Sequence, residues 1–317
     1  MANWKKYGKI FDPTHFEVFS YCNEFAQSPQ VLQLDNGFRV YYSTREPDET
    51  GKFLSHIAYV DFDKEFSKIL GKAENPIIAL GELGTFDEHG IFPINPLQVG
   101  NEVYAYSCGW SRRKSVSVET STGLAVSKDG GKTFLKNGLG PVFSSSLNEP
   151  FLVGDSFVKI FNNKFHMWYI YGLRWMENSQ EEPARVYKIA HAISDDGISW
   201  ERNGKLCIPD KIGEDECQAL PSVEFYKDQY HMVFCYRAAI GFRTDPSKGY
   251  RLGYAISNDG INWKRNDDFG GVDTPSGEWD RNMRCYPHLF CKNGDLFLLY
   301  NGNQFGKYGF GLAKLED

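Results

Sequence analysis

The sequence contains no run of 18 apolar residues, so it offers no helical membrane span. It has no basic surplus either: 35 Lys and Arg stand against 41 Asp and Glu, a formal charge of −6. Nucleic acid is therefore a poor partner, because little is available to neutralise its phosphates. The opening MANWKKYGKIF lacks the apolar core of a signal peptide. Seven Cys, an odd number without paired spacing, read as reduced thiols. No CxxC or HxxxH spacing suggests a zinc site. The expectation is a cytoplasmic chain with no metal, no other cofactor, no membrane partner and no nucleic-acid partner; its oligomeric state stays open.

Aromatic residues are what the sequence has in abundance, at 15% of 317 residues. They favour strands, and they serve either core packing or carbohydrate contact. One alternating aromatic strand recurs: FRVYYS at Phe38, EVYAYS at Glu102, FHMWYI at Phe165, YHMVFC at Tyr230 and LFLLYN at Leu296. The matching residues Phe38, Val103, Phe165, Tyr230 and Leu296 lie 65, 62, 65 and 66 residues apart. A period of this kind marks a repeat architecture. An Asn, Asp or Gly turn precedes each copy (LDNG, VGN, FNNK, YKDQ, KNGD), and a short apolar run precedes each turn, so every unit opens with a β-hairpin. A third strand with small residues follows, from HIAYVDF at His56 to GFGLAKL at Gly309. A further turn leads to a fourth strand.

Four antiparallel strands in each of five units predict an all-β, five-bladed β-propeller. The chain opens with WKKYGKIFDP from Trp4, which aligns with WERNGKLCIP from Trp200, the fourth strand of a unit. It ends after a third strand, GFGLAKLED. The N-terminal strand is thus expected to complete the C-terminal blade and close the ring, hiding an edge. The expected organisation is a single domain, 1–317, with blades at about 21–82, 88–143, 149–208, 215–272 and 279–317 plus 3–12. A two-domain sandwich explains neither the period nor the split unit.

The turn before the fourth strand is itself repeated. SKDGGKTF, Ser127 to Phe134, fits the Asp-box pattern, and SDDGISW and SNDGINW are one residue shorter. Ser and Asp side chains can bond the backbone two residues on, and Gly accepts the left-handed position. Lying on the rim, these turns read as fold-stabilising corners rather than as a binding loop, with Phe134, Trp200 and Trp263 packed between outer strands.

In a propeller the first strand of each blade lines the channel and the second returns to the same mouth. Acids occur before every first strand: Glu24; Asp87 and Glu88; Glu149 and Asp155; Glu214, Asp215 and Glu216; and Asp280. After the second strands come Arg45, Arg112, Arg174, Arg237 and, in the last blade, Asn303, with Arg281 and Arg284 close by. His89, in DEHG, is a ligand candidate at a mouth, and His288 could face the channel; His166 and His231, equivalent in their strands, read as structural. Glycoside cleavage needs one carboxylic acid for the leaving oxygen and one carboxylate as nucleophile or base. Crowded carboxylates push each other's pKa values apart and so assign the roles. Glu216, Asp155, Asp87 and Asp280 are the catalytic candidates. Glu24, Glu88, His89, the arginines and Asn303 are the binding candidates, the arginines suited to an anionic group. The same charges could instead pair with one another and tie the blade tops together.

Several segments resemble the five-bladed propeller glycosidases of glycoside hydrolase families 43 and 62, 32 and 68, and 130. GDSFVKIFNNKFHMWY, Gly154 to Tyr169, looks like the first hairpin of a family 43 blade, with Ser156 where the family has Pro. NEP at Asn148 and DEC at Asp215 are similar to acid-bearing motifs of these families, and SDDGISW is a phrase common among them. The family's other Asp-Pro openings correspond to Ser28-Pro29 and Asn95-Pro96 in the first two blades. The resemblance implies a small-molecule carbohydrate ligand. The expected function is cleavage of a glycosidic or sugar-phosphate bond in an anionic sugar or polysaccharide precursor. The alternatives are a phosphorolytic or transferring relative, or a non-catalytic carbohydrate-binding propeller.

Overall fold

The computed structural model describes residues 2–16, 19, 22, 24–177 and 182–316. Sheet one holds Gln27–Leu34, Gly37–Pro47, Phe53–Asp63 and Ile69–Lys72. Sheet two holds Gly90–Val99, Glu102–Arg112, Val118–Ser127 and Leu135–Lys136. Sheet three holds Val153–Phe161, Lys164–Met176, Ala184–Ser194 and Glu201–Leu206. Sheet four holds Glu216–Tyr226, Gln229–Ala238, Arg251–Ser257 and Lys264–Arg265. Sheet five combines Cys285–Lys292, Asp295–Asn301 and Phe310–Glu316 with Asn3–Phe11 from the other end of the chain. Within each sheet the strands pair antiparallel in this order, and one parallel bridge, Ser55 to Gly90, joins sheets one and two. The architecture is the five-bladed propeller that the repeat implies. Among the described residues no helix is long and apolar enough to cross a bilayer.

The ring closes as the split unit requires. Asn3 lies opposite Glu316 and Phe11 opposite Phe310, so the N-terminal strand is the outermost of sheet five. Asn301 ties sheet five to sheet one from within. Its Oδ1 accepts the Ser28 amide at 2.7 Å, and its Nδ2 donates to the carbonyls of Ala26 at 2.7 Å and Gly309 at 2.8 Å. The side chain is fully buried, so every one of these bonds is made away from water.

The repeated turns lock neighbouring blades together. In SKDGGKTF, Ser127 Oγ accepts the Gly131 amide at 2.8 Å, and Asp129 accepts the amides of Lys132 and Thr133 at 2.9 and 3.0 Å. Ser194 with Asp196 and Ser257 with Asp259 pin their turns likewise. The pinned glycine carbonyl then accepts a bond from the preceding sheet: Tyr41 Oη to Gly131 at 2.7 Å, Tyr106 Oη to Gly197 at 3.0 Å and Trp168 Nε1 to Gly260 at 3.0 Å. Tyr41, Tyr106 and Trp168 hold one register position in their second strands and are almost completely buried. Much of the aromatic content is therefore packing between blades.

Each innermost strand carries a bulge near its start, at one register position in four sheets and one residue earlier in sheet two. The register slips at Ser28-Pro29, Phe92-Pro93, Asp155-Ser156, Leu220-Pro221 and Tyr286-Pro287. Ser28, Asp155, Leu220 and Tyr286 have φ of 53°, 49°, 49° and 55°, the left-handed region that non-glycine residues rarely enter. Bulges of this kind re-aim a side chain beside a functional site. The counterpart of Ser28-Pro29 in sheet two is Phe92-Pro93, which corrects the Asn95-Pro96 alignment. Asn95 instead bridges blades, its Oδ1 accepting the Val158 amide at 2.8 Å.

The interblade lock is testable at Gly197, which has φ of 74° and where an added Cβ would lie 2.5 Å from Tyr106 Oη. Tyr106→Phe is expected to cost about 1 kcal/mol, one net hydrogen bond. Gly197→Ala is expected to cost at least about 2 kcal/mol, combining left-handed strain with a clash. Urea unfolding of the two variants checks the order.

Candidate active site

A cavity with a volume of about 570 Å³ opens among all five sheets. Its size is in the range of small-molecule sites. Three of the five bulge residues, Phe92, Asp155 and Tyr286, reach its wall. The remaining lining comes from the ends of second strands, the starts of third strands and the loops between them. Those loops supply Lys52, Ser117, Glu182, Phe242, Arg243 and Phe305. Every blade thus contributes a strand end and a loop to one mouth, as expected for a ligand site on a rigid scaffold.

The cavity is basic in an acidic protein. Arg45 and Lys52 enter from sheet one, Arg112 and Arg113 from sheet two, Arg185 from sheet three, and Arg237 and Arg243 from sheet four. Among the described residues, Asp155 and Glu182 are its carboxylates. Aromatic rings hold the guanidiniums in place. Arg237 lies 3.6 Å from the Phe242 ring centre and Arg243 4.3 Å from it, while Arg45 lies 4.9 Å from Phe25 and 5.5 Å from Phe53. Arg45 Nε donates to Gln27 Oε1 at 2.8 Å, and Arg237 Nη2 donates to Tyr187 Oη at 2.9 Å. Arg112 is held by Asp48 at 2.6 Å.

Asp155 is the chemically unusual group. Its carboxyl meets the cavity on one side and protein on the others, and burial pushes its pKa up to about 7. The Arg185 charge and the Leu220 backbone amide pull the other way without overcoming burial. A carboxylic acid poised near neutral pH in a cleft is the signature of a proton donor.

The other three catalytic candidates lie elsewhere, and a common geometry explains why. Glu216 is fully buried and faces away from the cavity. Cross-strand partners share a face: Cys217 lies opposite Arg237, which lines the cavity, so Glu216, opposite Ala238, turns into the blade. Its carboxylate accepts the amides of Lys211 and Ile212 at 2.9 and 3.1 Å and pairs with Arg265 at 2.7 Å. Asp87 pairs with Lys136 at 2.5 Å, and Glu149 with Arg202 at 2.9 Å. Lys136, Arg202 and Arg265 lie opposite Ala125, Ala192 and Ala255, one register position on three outer strands. Lys6 holds that position in sheet five, opposite Ala313. Its ammonium sits 4.3 Å from the Tyr300 ring centre and donates to the Val272 carbonyl at 2.7 Å; burial lowers its pKa to about 8 against the opposing charges of Asp273 and Asp280. Asp280 accepts the amides of Ser276 and Gly277 at 2.9 Å and the Tyr300 hydroxyl at 3.0 Å. Asp87, Glu149 and Glu216 thus clamp the loops entering sheets two, three and four to the outer edges of their own blades.

Of the binding candidates, Arg45, Arg112 and Arg237 line the cavity. Arg174, opposite Val186, pairs with Asp215 outside it, while Arg185, opposite Trp175, points in. Glu24 pairs with Lys307 at 3.2 Å, and Glu88 accepts the Gly84 amide at 2.7 Å. His89 stacks on Trp110, with ring centres 5.9 Å apart, and stands behind the lining. Arg281 pairs with Glu278 at 2.9 Å, Arg284 with Asp273 at 2.8 Å, and Asn303 Oδ1 accepts the Asn282 and Met283 amides at 2.9 and 3.1 Å. His288 does not face an open channel. It is buried, its Nε2 accepts the Val31 amide at 3.1 Å, and burial, helped by the Lys159 charge, lowers its pKa to about 3. Arg185, Arg243, Tyr187, Tyr250 and Tyr286 escaped sequence reasoning. The X-Pro repeat at the bulges would have located Tyr286 and Phe92.

No protein-family model matches the chain. Two proteins of Mycobacterium tuberculosis do: "Uncharacterized protein Rv1502" of strain H37Rv and "Uncharacterized protein MT1551" of strain CDC 1551, each 30% identical over 315 residues and covering 99% of both chains. The chain belongs to their family. Solved structures extend the fold further. A protein described as "Glycoside hydrolase" superposes with a TM-score of 0.73 at 16% identity, covering 98% of this chain and 91% of that one. A thermostable family-43 glycoside hydrolase gives 0.63 at 15% identity, covering 92% and 88%. The β-1,2-mannobiose phosphorylase of Listeria innocua gives 0.69 at 12% identity, covering 98% and 96%. The chain thus shares its fold with glycoside hydrolases and phosphorylases.

Two measurements separate the acid in the cavity from the acids in the blades. Between about pH 4 and pH 7 folded Asp155 keeps a proton that the unfolded chain has lost, so its contribution to stability falls as pH rises through that window. Asp155→Asn is expected to be more stable than the parent at pH 8, by about 1–2 kcal/mol, with the difference vanishing near pH 4; thermal unfolding across pH reads it out. Glu216→Ala leaves Arg265 with a buried, partly unpaired charge and is expected to cost about 3 kcal/mol in chemical denaturation.

Proposed function

We propose that the chain is a carbohydrate-active enzyme that cleaves a glycosidic or sugar-phosphate bond in an anionic sugar, with Asp155 as the general acid. The single observation behind this reading is a cavity carboxyl with a pKa near 7 facing a wall of guanidiniums. The fold shared with glycoside hydrolases and phosphorylases supports a sugar ligand.

The cavity residues divide the chemistry. Protonated Asp155 gives its proton to the leaving oxygen as the bond from that oxygen to the reacting centre breaks. The arginines hold the anionic group and fix the sugar, and Phe92, Tyr250 and Tyr286 offer ring faces to it. The attacking group takes the opposite side. Water is one such group, with Glu182 on its loop as the carboxylate available to activate it. An inorganic phosphate held by arginines is the other, which would make the reaction a phosphorolysis. Glu216, Asp87 and Asp280 have no part in this scheme, because their oxygens are engaged within the blades.

A non-catalytic carbohydrate-binding propeller is the competing reading. It is favoured by the fact that Glu182, the second cavity carboxylate, is exposed.

Activated aryl glycosides and sugar phosphates, with and without inorganic phosphate, test the enzyme reading. Asp155→Asn is expected to lower turnover about 10²–10⁴-fold. The parent rate is expected to fall as pH rises through about 7, as the acid loses its proton. If the parent turns over nothing while sugars raise its melting temperature, the binding reading replaces this one.

A further inference from the structure

Resting on the carbohydrate reading above, we infer that the anionic group of the ligand is a phosphate ester, held between the guanidiniums of Arg45 and Arg243. A charge inventory of the cavity leads there. Arg112 is neutralised by Asp48 and Arg113 by Glu119. Arg185 faces Asp155. Arg237 has no acidic partner, but both its terminal nitrogens are used: Nη1 donates to the carbonyls of Ala238 and Ala239, at 2.7 and 3.3 Å, and Nη2 to the Tyr187 hydroxyl, which leaves only its buried Nε without a partner. Among the described residues the exposed Lys52, Arg45 and Arg243 are also left with no acidic partner, and of these three Arg45 and Arg243 are the guanidiniums.

These two cations belong to one wall. Arg45 is anchored through Nε to Gln27, which leaves both terminal nitrogens of its fork free. Gln27 Nε2 in turn donates to the Phe305 carbonyl at 2.5 Å, and the Phe305 ring meets the Phe242 ring with centres 6.1 Å apart. Phe242 carries Arg243. Burial disfavours the charge on Arg45; Tyr286 opposes this, and the repulsion of Arg243 adds to it. Two like charges thus line one cavity on a connected set of side chains, with no carboxylate paired to either among the described residues.

The missing counter-charge has a chemical identity. A uronic or sialic carboxylate brings one negative charge and is satisfied by one fork. A phosphate monoester brings close to two charges near neutral pH and three terminal oxygens, enough for two forks at once. Two unpaired guanidiniums therefore fit the ester better than the carboxylate. The cavity, at about 570 Å³, has room for the sugar that carries it.

Isothermal titration calorimetry of the parent, Arg45→Met and Arg243→Met tests the inference, with thermal melts to confirm folding. The probes are glucose 1-phosphate, glucose 6-phosphate, mannose 1-phosphate, UDP-glucose, glucuronate, N-acetylneuraminate and inorganic phosphate. At least one phosphorylated probe is expected to bind about tenfold or more tighter than either carboxylated sugar and than inorganic phosphate. Each Met variant is expected to lose about tenfold of that affinity. Arg243 is exposed, so its variant folds even if Arg45→Met does not. The hexose phosphates against UDP-glucose separate a monoester from a diphosphate-linked sugar. Equal or tighter binding of a carboxylated sugar, equal binding of inorganic phosphate alone, or unchanged affinity in Arg243→Met overturns the inference and leaves the carbohydrate reading standing. Failure of every sugar to bind overturns both.

Discussion

The structure depends on a buried carboxylate that, in blades two, three and four, clamps the incoming loop to the blade's outer strand. Asp87 with Lys136, Glu149 with Arg202 and Glu216 with Arg265 repeat one arrangement; in sheet five Lys6, at the same register position, donates to the Val272 carbonyl at 2.7 Å instead. A buried ion costs several kcal/mol to desolvate, and an ion pair recovers that cost only when its remaining hydrogen-bond sites are filled. Glu216 meets the condition with two backbone amides and the Gln218 side chain besides Arg265. Such a clamp is a poor source of stability compared with apolar packing, but it is directional. It ties the end of the incoming loop to a fixed point on the outer strand.

The bulge decides what the cavity can do. Five innermost strands break register near their starts, and the residues placed there are Ser28, Phe92, Asp155, Leu220 and Tyr286. A carboxylate occurs at one of them. Of the two acids near the first strand of sheet three, Glu149 takes the clamp. That division of labour leaves Asp155 without a cation from its own outer strand, on a backbone turned left-handed, beside Arg185 of its own sheet. Its raised pKa follows from this isolation rather than from a neighbouring carboxylate, which is desolvation acting alone.

The fold was legible because its signals are periodic and local. Phe38, Val103, Phe165, Tyr230 and Leu296 mark five equivalent strands, and Trp4 matches Trp200 closely enough to foretell the closing strand. The site was less legible because a strand changes face with every residue. Glu216 and Cys217 are neighbours in sequence, yet the face that Cys217 shares with Arg237 is the cavity face. Arg174 and Arg185 exchange places for the same reason. The bulge removes the parity on which counting from a proline relies, so Asn95-Pro96 passed for the equivalent of Ser28-Pro29 when Phe92-Pro93 holds that place. The loops that deliver Arg243 and Phe305 differ from blade to blade and carry no repeat from which they could be located.

A shared clamp and an unshared acid also separate what the fold requires from what the ligand requires. If the mouth acids served only stability, Asp155 would be expected to have a partner like those of Glu216 and Asp87, and Arg45 and Arg243 would be expected to have carboxylates. The ionic residues divide cleanly instead. Those at the repeating register position in sheets two, three and four are paired inside the blades, while Arg45 and Arg243 at the mouth keep free donors and no acidic partner among the described residues. Unpaired like charges on one wall cost stability in the empty protein, and the same residues gain most when an anion arrives, because little reorganisation is needed to receive it. The imbalance is therefore the physical trace of a ligand rather than of the fold.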